Sequence, residues 1–181
     1  MKIYHIYQNQ IQPGDLLVTF NRGNLLSKLI WWLSKRPNTP RASHIAFCLD
    51  KFEIVEATWS GMRRGSYQKY SIGKYDIVVV RPVFDFDPYE ARRWASHQVG
   101  RHGYGFLQLL ALAIKRIFSL RSVGDWDKNG LICSEQACTI YRQMGQQLFP
   151  YLKSCAEVTP VHYLITSKFS RIFDSRFPLE R

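Results

Sequence analysis

Four short apolar runs dominate the first half of the chain, at residues 16–20, 43–49, 52–58 and 77–83, each set off by turn residues. Runs this short, rich in β-branched and aromatic residues and without helical period, read as strands. Pro13-Gly14-Asp15 turns the chain into the first, and Asp50-Lys51 is a tight connection between the second and third. Residues 61–70 suit a further strand or a loop. Between the first two runs, Asn24 can cap a helix whose apolar positions Leu25, Leu26, Leu29, Ile30, Trp32 and Leu33 recur at helical spacing, with Pro37 and Pro40 ending it. The second half differs. Asp87 or Pro88 opens a helix reaching about Gly100, residues 104–120 supply a strongly apolar one, and residues 133–145 a third. Residues 159–167 form a short helix or strand. Strands followed mostly by helices argue for an α+β fold rather than an alternating parallel sheet.

A chain of 181 residues is enough for one domain with a sizeable core, spanning residues 1–181. The longest apolar stretch, the helix at 106–120, is cut by Gln108 and by Lys115-Arg116, so it is too short to span a bilayer. The first fifteen residues have neither an apolar segment nor a small-residue cleavage site. A soluble, cytoplasmic protein is the expectation. The flanking Lys115, Arg116 and Arg121 allow helix 106–120 to line an acyl-chain groove or to touch a membrane surface, as a peripheral membrane protein does. Packing into the core is the favoured expectation.

With 25 Lys and Arg against 14 Asp and Glu, the net charge is +11. The cations are scattered in pairs such as Arg63-Arg64 and Arg92-Arg93, with no recognition module, so no specific nucleic-acid partner is expected. An anionic substrate, cell-wall polymer or membrane surface uses the same charge, as does a merely solvated basic face.

The four cysteines, Cys48, Cys133, Cys138 and Cys155, are too few and scattered for a disulfide scaffold, and reduced thiols are the expectation. Cys48 in a strand and Cys138 within a helix read as core. Cys133 opens the helical segment Cys133-Ser134-Glu135-Gln136, where the helix dipole and free amides favour a thiolate and can hold an oxyanion. Glu135 in that first turn slightly opposes the thiolate. The bland alternative for Cys133 is a small buried hydrophobe. A thiol nucleophile takes a base, and histidine is the usual one. Of His5, His44, His97, His102 and His162, His44 opens a strand, a rigid place from which to reach a helix start. Glu56 sits in the neighbouring run; a hairpin at Asp50-Lys51 nearly pairs it with His44 on one face. A carboxylate in an apolar strand also needs a partner, unless it faces solvent.

These pieces resemble the circularly permuted NlpC-type papain-like hydrolases, a group that includes YiiX-type bacterial proteins and, more distantly, lecithin:retinol acyltransferase-like enzymes. The matching segments are Pro13-Gly14-Asp15-Leu16-Leu17, Ser43-His44-Ile45-Ala46, Val55-Glu56-Ala57, Tyr104-Gly105-Phe106-Leu107, Ile132-Cys133-Ser134-Glu135 and Thr159-Pro160. Their order, with His before Cys, is that of the permuted group. The resemblance implies an antiparallel sheet packed against helices, Cys133 as nucleophile, His44 as base and Glu56 as the residue that orients it. It implies that Tyr104 lines the substrate pocket, although a core role fits equally well. The chain departs at Ile132, where an aromatic residue is usual, and at Gly105, where the usual residue is Asp.

The expected activity is hydrolysis of an amide, ester or thioester through an acyl-enzyme, on a cell-wall peptide or a lipid-derived substrate, or acyl transfer. No metal or organic cofactor is implied. The rivals are a non-catalytic lipid- or peptide-binding module on the same fold and a basic nucleic-acid-binding protein.

Overall fold

The computed structural model describes residues 10–35, 37–70, 73–123, 125–127 and 130–176; His5 and Arg181 lie outside them. Six strands form one antiparallel sheet in the order β4-β3-β2-β1-β5-β8: β1 Leu16–Asn21, β2 His44–Cys48, β3 Glu53–Thr58, β4 Gly61–Ser66, β5 Tyr75–Pro82 and β8 Phe169–Asp174. The helices are α1 Leu25–Ser34, α2 Pro88–Gln98, α3 Phe106–Ile117, α4 Cys133–Gln143 and α5 His162–Ile165. Two further strands, β6 Gly103–Tyr104 and β7 Gly130–Leu131, pair in parallel. The fold is α+β, with the antiparallel sheet packed against helices. None of the described helices is long and apolar enough to cross a membrane.

Alternation along the strands gives the sheet two apolar faces. Leu16, Val18, Ile45, Phe47 and Val55 face Ala137, Ile140 and Tyr141 of α4 and Ala91 and Ala95 of α2. Leu17, Ala46, Cys48, Ile54, Ile77 and Val79 gather with Tyr67 and Tyr70 on the other face. As the sequence suggests, Asn24 caps α1, its side chain accepting from the Ser27 N–H, and Asp87 caps α2.

The Pro13-Gly14-Asp15 turn is a structural anchor. The Gly14 N–H donates to the Cys48 carbonyl, and the Tyr141 hydroxyl donates to the Gly14 carbonyl, tying α4 to the sheet. Buried Asp15 accepts two bonds from the Arg81 guanidinium, at 2.9 and 2.8 Å. Gly14 has φ +90°, and a Cβ there would lie 2.4 Å from the Phe86 ring. Gly14→Ala therefore combines left-handed backbone strain with a ring clash, and should lower stability by about 2 kcal/mol or more in urea denaturation. An unchanged midpoint would show that the turn relaxes freely.

Three expectations need correction. The apolar helix is not core: it starts at Phe106, after β6, and of its twelve residues only Gln108, Ala111 and Leu112 are buried. Phe106, Leu107, Leu110 and Ile117 are exposed, because a helix lying along the edge of the domain buries one narrow stripe. The cysteines are not all reduced: Cys138 and Cys155 form a disulfide, with Cα atoms 5.5 Å apart. The pairing joins α4 to the 3-10 turn Cys155–Glu157 seventeen residues on, a contact made by the fold rather than by a local motif. The final strand, β8, was not foreseen, since residues 159–167 were expected to close the structure; the short helix expected there is α5.

Candidate active site

β2 and β3 hold His44 and Glu56 on one face, with a register differing from the expected hairpin. Ala46 is the residue opposite Glu56, so His44 sits two positions further along, on the diagonal. The connection spans more than Asp50-Lys51: Leu49 and Asp50 both donate backbone N–H bonds to the Glu53 carbonyl. A two-residue shift preserves the face, and a diagonal neighbour is within reach of a ring. His44 Nε2 lies 3.1 Å from Glu56 Oε2.

Glu56 is only 1 % exposed, and its carboxylate is well supplied with partners. The Tyr70 hydroxyl donates to Oε2 at 2.5 Å, Lys69 bonds Oε1, and Arg63 Nε stands 3.7 Å from Oε1. Burial pushes the Glu56 pKa up, but hydrogen bonding and charge from His44, then the bonds from Lys69 and Tyr70, outweigh it and bring it down to about 2. The same surroundings hold the Tyr70 phenol neutral: burial first, then the Glu56 charge, raise its pKa far above the ordinary value. Lys69, Tyr70 and Arg63 left no periodic signal in the sequence. Lys69 and Tyr70 arrive through the 3-10 turn Tyr67–Tyr70, and Arg63 through β4.

Cys133 is the first residue of α4 and 5 % exposed. The helix start is fastened on both sides: Ser134 Oγ donates to the Val158 carbonyl at 2.6 Å, and the Tyr163 hydroxyl donates to the Ser134 carbonyl at 2.8 Å. The His44 ring also feels the Cys133 side chain, whose charge and hydrogen bonding act on it, while its Nε2 faces Glu56. Burial lowers the His44 pKa, but the charge and hydrogen bond of Cys133, and then Glu56, more than reverse this, and it rises from 6.5 to about 9. The three residues singled out from the sequence are thus brought together.

Glu135, in the first turn of α4, is 5 % exposed. Burial above all, and then the Asp125 and Asp127 charges, raise its pKa to about 8 against the lowering bond from the Ile132 N–H. The direction is toward the neutral acid, which weakens its opposition to a thiolate. Cys48 is buried in the sheet, and burial, with Asp15 and Asp50 nearby, raises its pKa well above 9.0.

Tyr104 stands beside this group through β6, which pairs with Leu131 just before the nucleophile. It lines two cavities. One, of about 220 Å³, holds His44, Glu56, Arg63, Lys69 and Tyr70; the other, of about 20 Å³, holds Cys133, Leu109, Leu112, Thr159 and Pro160. Ile30 of α1 also lines both cavities. Trp59, which sequence reasoning passed over, stacks on Tyr104 at 5.5 Å and meets Phe106 at 4.9 Å, extending Tyr104 into an aromatic ledge. The glycine at 105 has a steric cause. A Cβ there would lie 3.2 Å from the Ile132 backbone nitrogen and Cγ2, so any side chain requires the segment before Cys133 to give by a few tenths of an ångström.

No family model and no curated protein matches the chain. Among solved structures, it is similar to metalloprotein yiiX from Escherichia coli O157:H7, at a TM-score of 0.61 and 15 % sequence identity over 91 % of this chain and 98 % of that one. At that identity the likeness is one of fold: this chain has a yiiX-like α+β fold.

Proposed function

We propose that the chain is a thiol hydrolase cleaving an amide, ester or thioester bond through an acyl-enzyme. One observation carries the reading: the imidazole of His44 is held between the Glu56 carboxylate and the Cys133 thiol at the start of α4. His44 takes the Cys133 proton, and the sulfur attacks the substrate carbonyl carbon while the π electrons move to oxygen. Backbone N–H groups in the first turn of α4, which have no intrahelical acceptor, face the developing oxyanion. As the intermediate collapses, the leaving amine, alcohol or thiol receives the proton from the His44 imidazolium. Water then gives a proton to His44 and attacks the thioester carbon, releasing the acid and the free thiol. Glu56 holds the ring's Nε2–H and stabilises its charged form, the orienting role such a carboxylate has beside an imidazole base. The yiiX-like fold and the His-before-Cys order support a permuted papain-like relationship, with cell-wall peptides or lipid-derived acyl groups as the substrate classes.

The neighbour yiiX is a metalloprotein. In this chain the described residues contain no group of three or more His, Cys, Asp or Glu placed to hold a metal. The Glu56 oxygens are already taken by His44, Tyr70 and Lys69. These residues do not fit a metal, and no step above uses one.

Iodoacetamide labelling, mapped by mass, tests the site directly. Only Cys48 and Cys133 are free thiols among the described residues. Cys133 should label at least about tenfold faster than Cys48, and His44→Ala should remove that advantage. Equal rates for the two thiols, or no effect of His44→Ala, would leave the fold serving binding rather than catalysis.

A further inference from the structure

The outer faces of α1 and α3 carry an apolar stripe that the core does not use. On α1, Leu25, Leu29 and Trp32 recur at helical spacing and are exposed, Leu25 by 80 %. On α3, Phe106, Leu107, Leu110 and Ile117 do the same, and Phe118 just beyond it is 68 % exposed. The two helices pack beside each other, so the stripes form one surface. This exceeds the scatter of single apolar residues normal on a protein surface.

The surrounding charge has one sign. No acidic residue occurs anywhere in residues 16–49 or 91–124, the stretches that contain these helices. Lys28, Arg116 and Arg121 are exposed and have no ion-pair partner among the described residues. Between the C-terminal ends of α1 and α3 lies a cavity of about 280 Å³ lined by Leu33, Leu120, Lys35, Lys115, Arg116 and Glu157, three cations against one carboxylate. Lys115 bonds Glu157, which leaves two cations in it uncompensated by a lining acid. An apolar stripe rimmed by cations, with a basic hollow at its border, matches a layer of acyl chains beneath anionic headgroups.

We propose that α1 and α3 form a docking face for an anionic phospholipid bilayer, into whose interface Leu25, Leu29, Trp32, Leu107, Leu110 and Ile117 insert. The same helices also enclose the nucleophile from the other side, through Ile30, Leu33, Leu109 and Leu112, so docking places the candidate active site at the lipid surface. The docking face itself does not depend on the hydrolase reading.

The experiment is co-sedimentation of the full chain with vesicles of phosphatidylcholine alone or mixed with phosphatidylglycerol, at low and high salt. Native protein and Cys133→Ala should bind the anionic vesicles equally, at least about tenfold more tightly than neutral ones, and high salt should weaken that binding. Leu107→Gln with Ile117→Gln, which keeps the net charge, should weaken it at least about tenfold while leaving the circular dichroism spectrum and the monomer mass unchanged. Brominated lipid should quench tryptophan fluorescence in the native chain, and less in Trp32→Phe. Anionic binding untouched by the double substitution would reduce the effect to net charge and overturn the proposal. A native dimer that the same substitutions dissociate would assign the face to a second copy and overturn it equally.

Discussion

His44→Ala should slow hydrolysis of an activated acyl ester, such as a p-nitrophenyl ester, by about 1,000-fold or more, with Cys133→Ala at least as severe and the double variant no worse than either. The non-additivity follows from the geometry: thiol and imidazole act as one unit, and either alone is without its proton partner. The pH profile carries a second signature. In the proposed mechanism the leaving group takes its proton from the His44 imidazolium, whose pKa is raised to about 9. For an amide substrate, whose amine must be protonated to leave, the rate should fall as pH rises through about 9. Stability has the same sign: a raised pKa contributes stability fully present below 6.5 and lost as pH climbs through about 9. Turnover that survives His44→Ala would remove the imidazole from the chemistry.

Glu56→Gln should affect both rate and stability. An amide keeps the shape, but offers one acceptor oxygen where two served His44, Tyr70 and Lys69, and turns an NH2 group toward a donor. With the pKa lowered from 4.5 to about 2, ionised Glu56 stabilises the fold fully above pH 4.5, and that contribution is lost as pH falls through about 2. The shift corresponds to about 3 kcal/mol at neutral pH, so the variant should lose roughly that in denaturant titration. Its stability should also be flatter between pH 5 and 2, by the ordinary and lowered pKa values of this group. Turnover should drop about 100-fold or more, because the imidazole loses its orienting anion. An acid limb identical to the native one would show that Glu56 is not the group whose protonation is felt.

The candidate site was legible because each piece sits on a regular element. His44 lies two positions from direct pairing with Glu56, an even offset that keeps both on one face, so an approximate register was enough to predict their proximity. Cys133 was found from a helix start. The supporting residues were not legible for a related reason: Lys69 and Tyr70 belong to a 3-10 turn after an edge strand, where no periodicity says which way a side chain points. Strand β8 hid itself in the same manner. It lies at the sheet edge with Ser170 and Arg171 exposed, and edge strands of this composition carry little apolar alternation. The disulfide between Cys138 and Cys155, and the outward apolar face of α3, both depend on which elements pack together, and composition along the chain does not encode that.

The arrangement around Glu56 bears on what happens after bond cleavage. Among the residues lining the 220 Å³ cavity, Glu56 is the one acid, set against Arg63, Lys69 and the imidazole of His44. The proposed hydrolysis would turn an uncharged acyl group into an anion beside these cations. A chamber of this charge favours an acid product over the uncharged ester or amide from which it would come. Under the proposed activity, free carboxylates should therefore compete with the substrate for this chamber, and inhibition by an added simple carboxylate measures that competition.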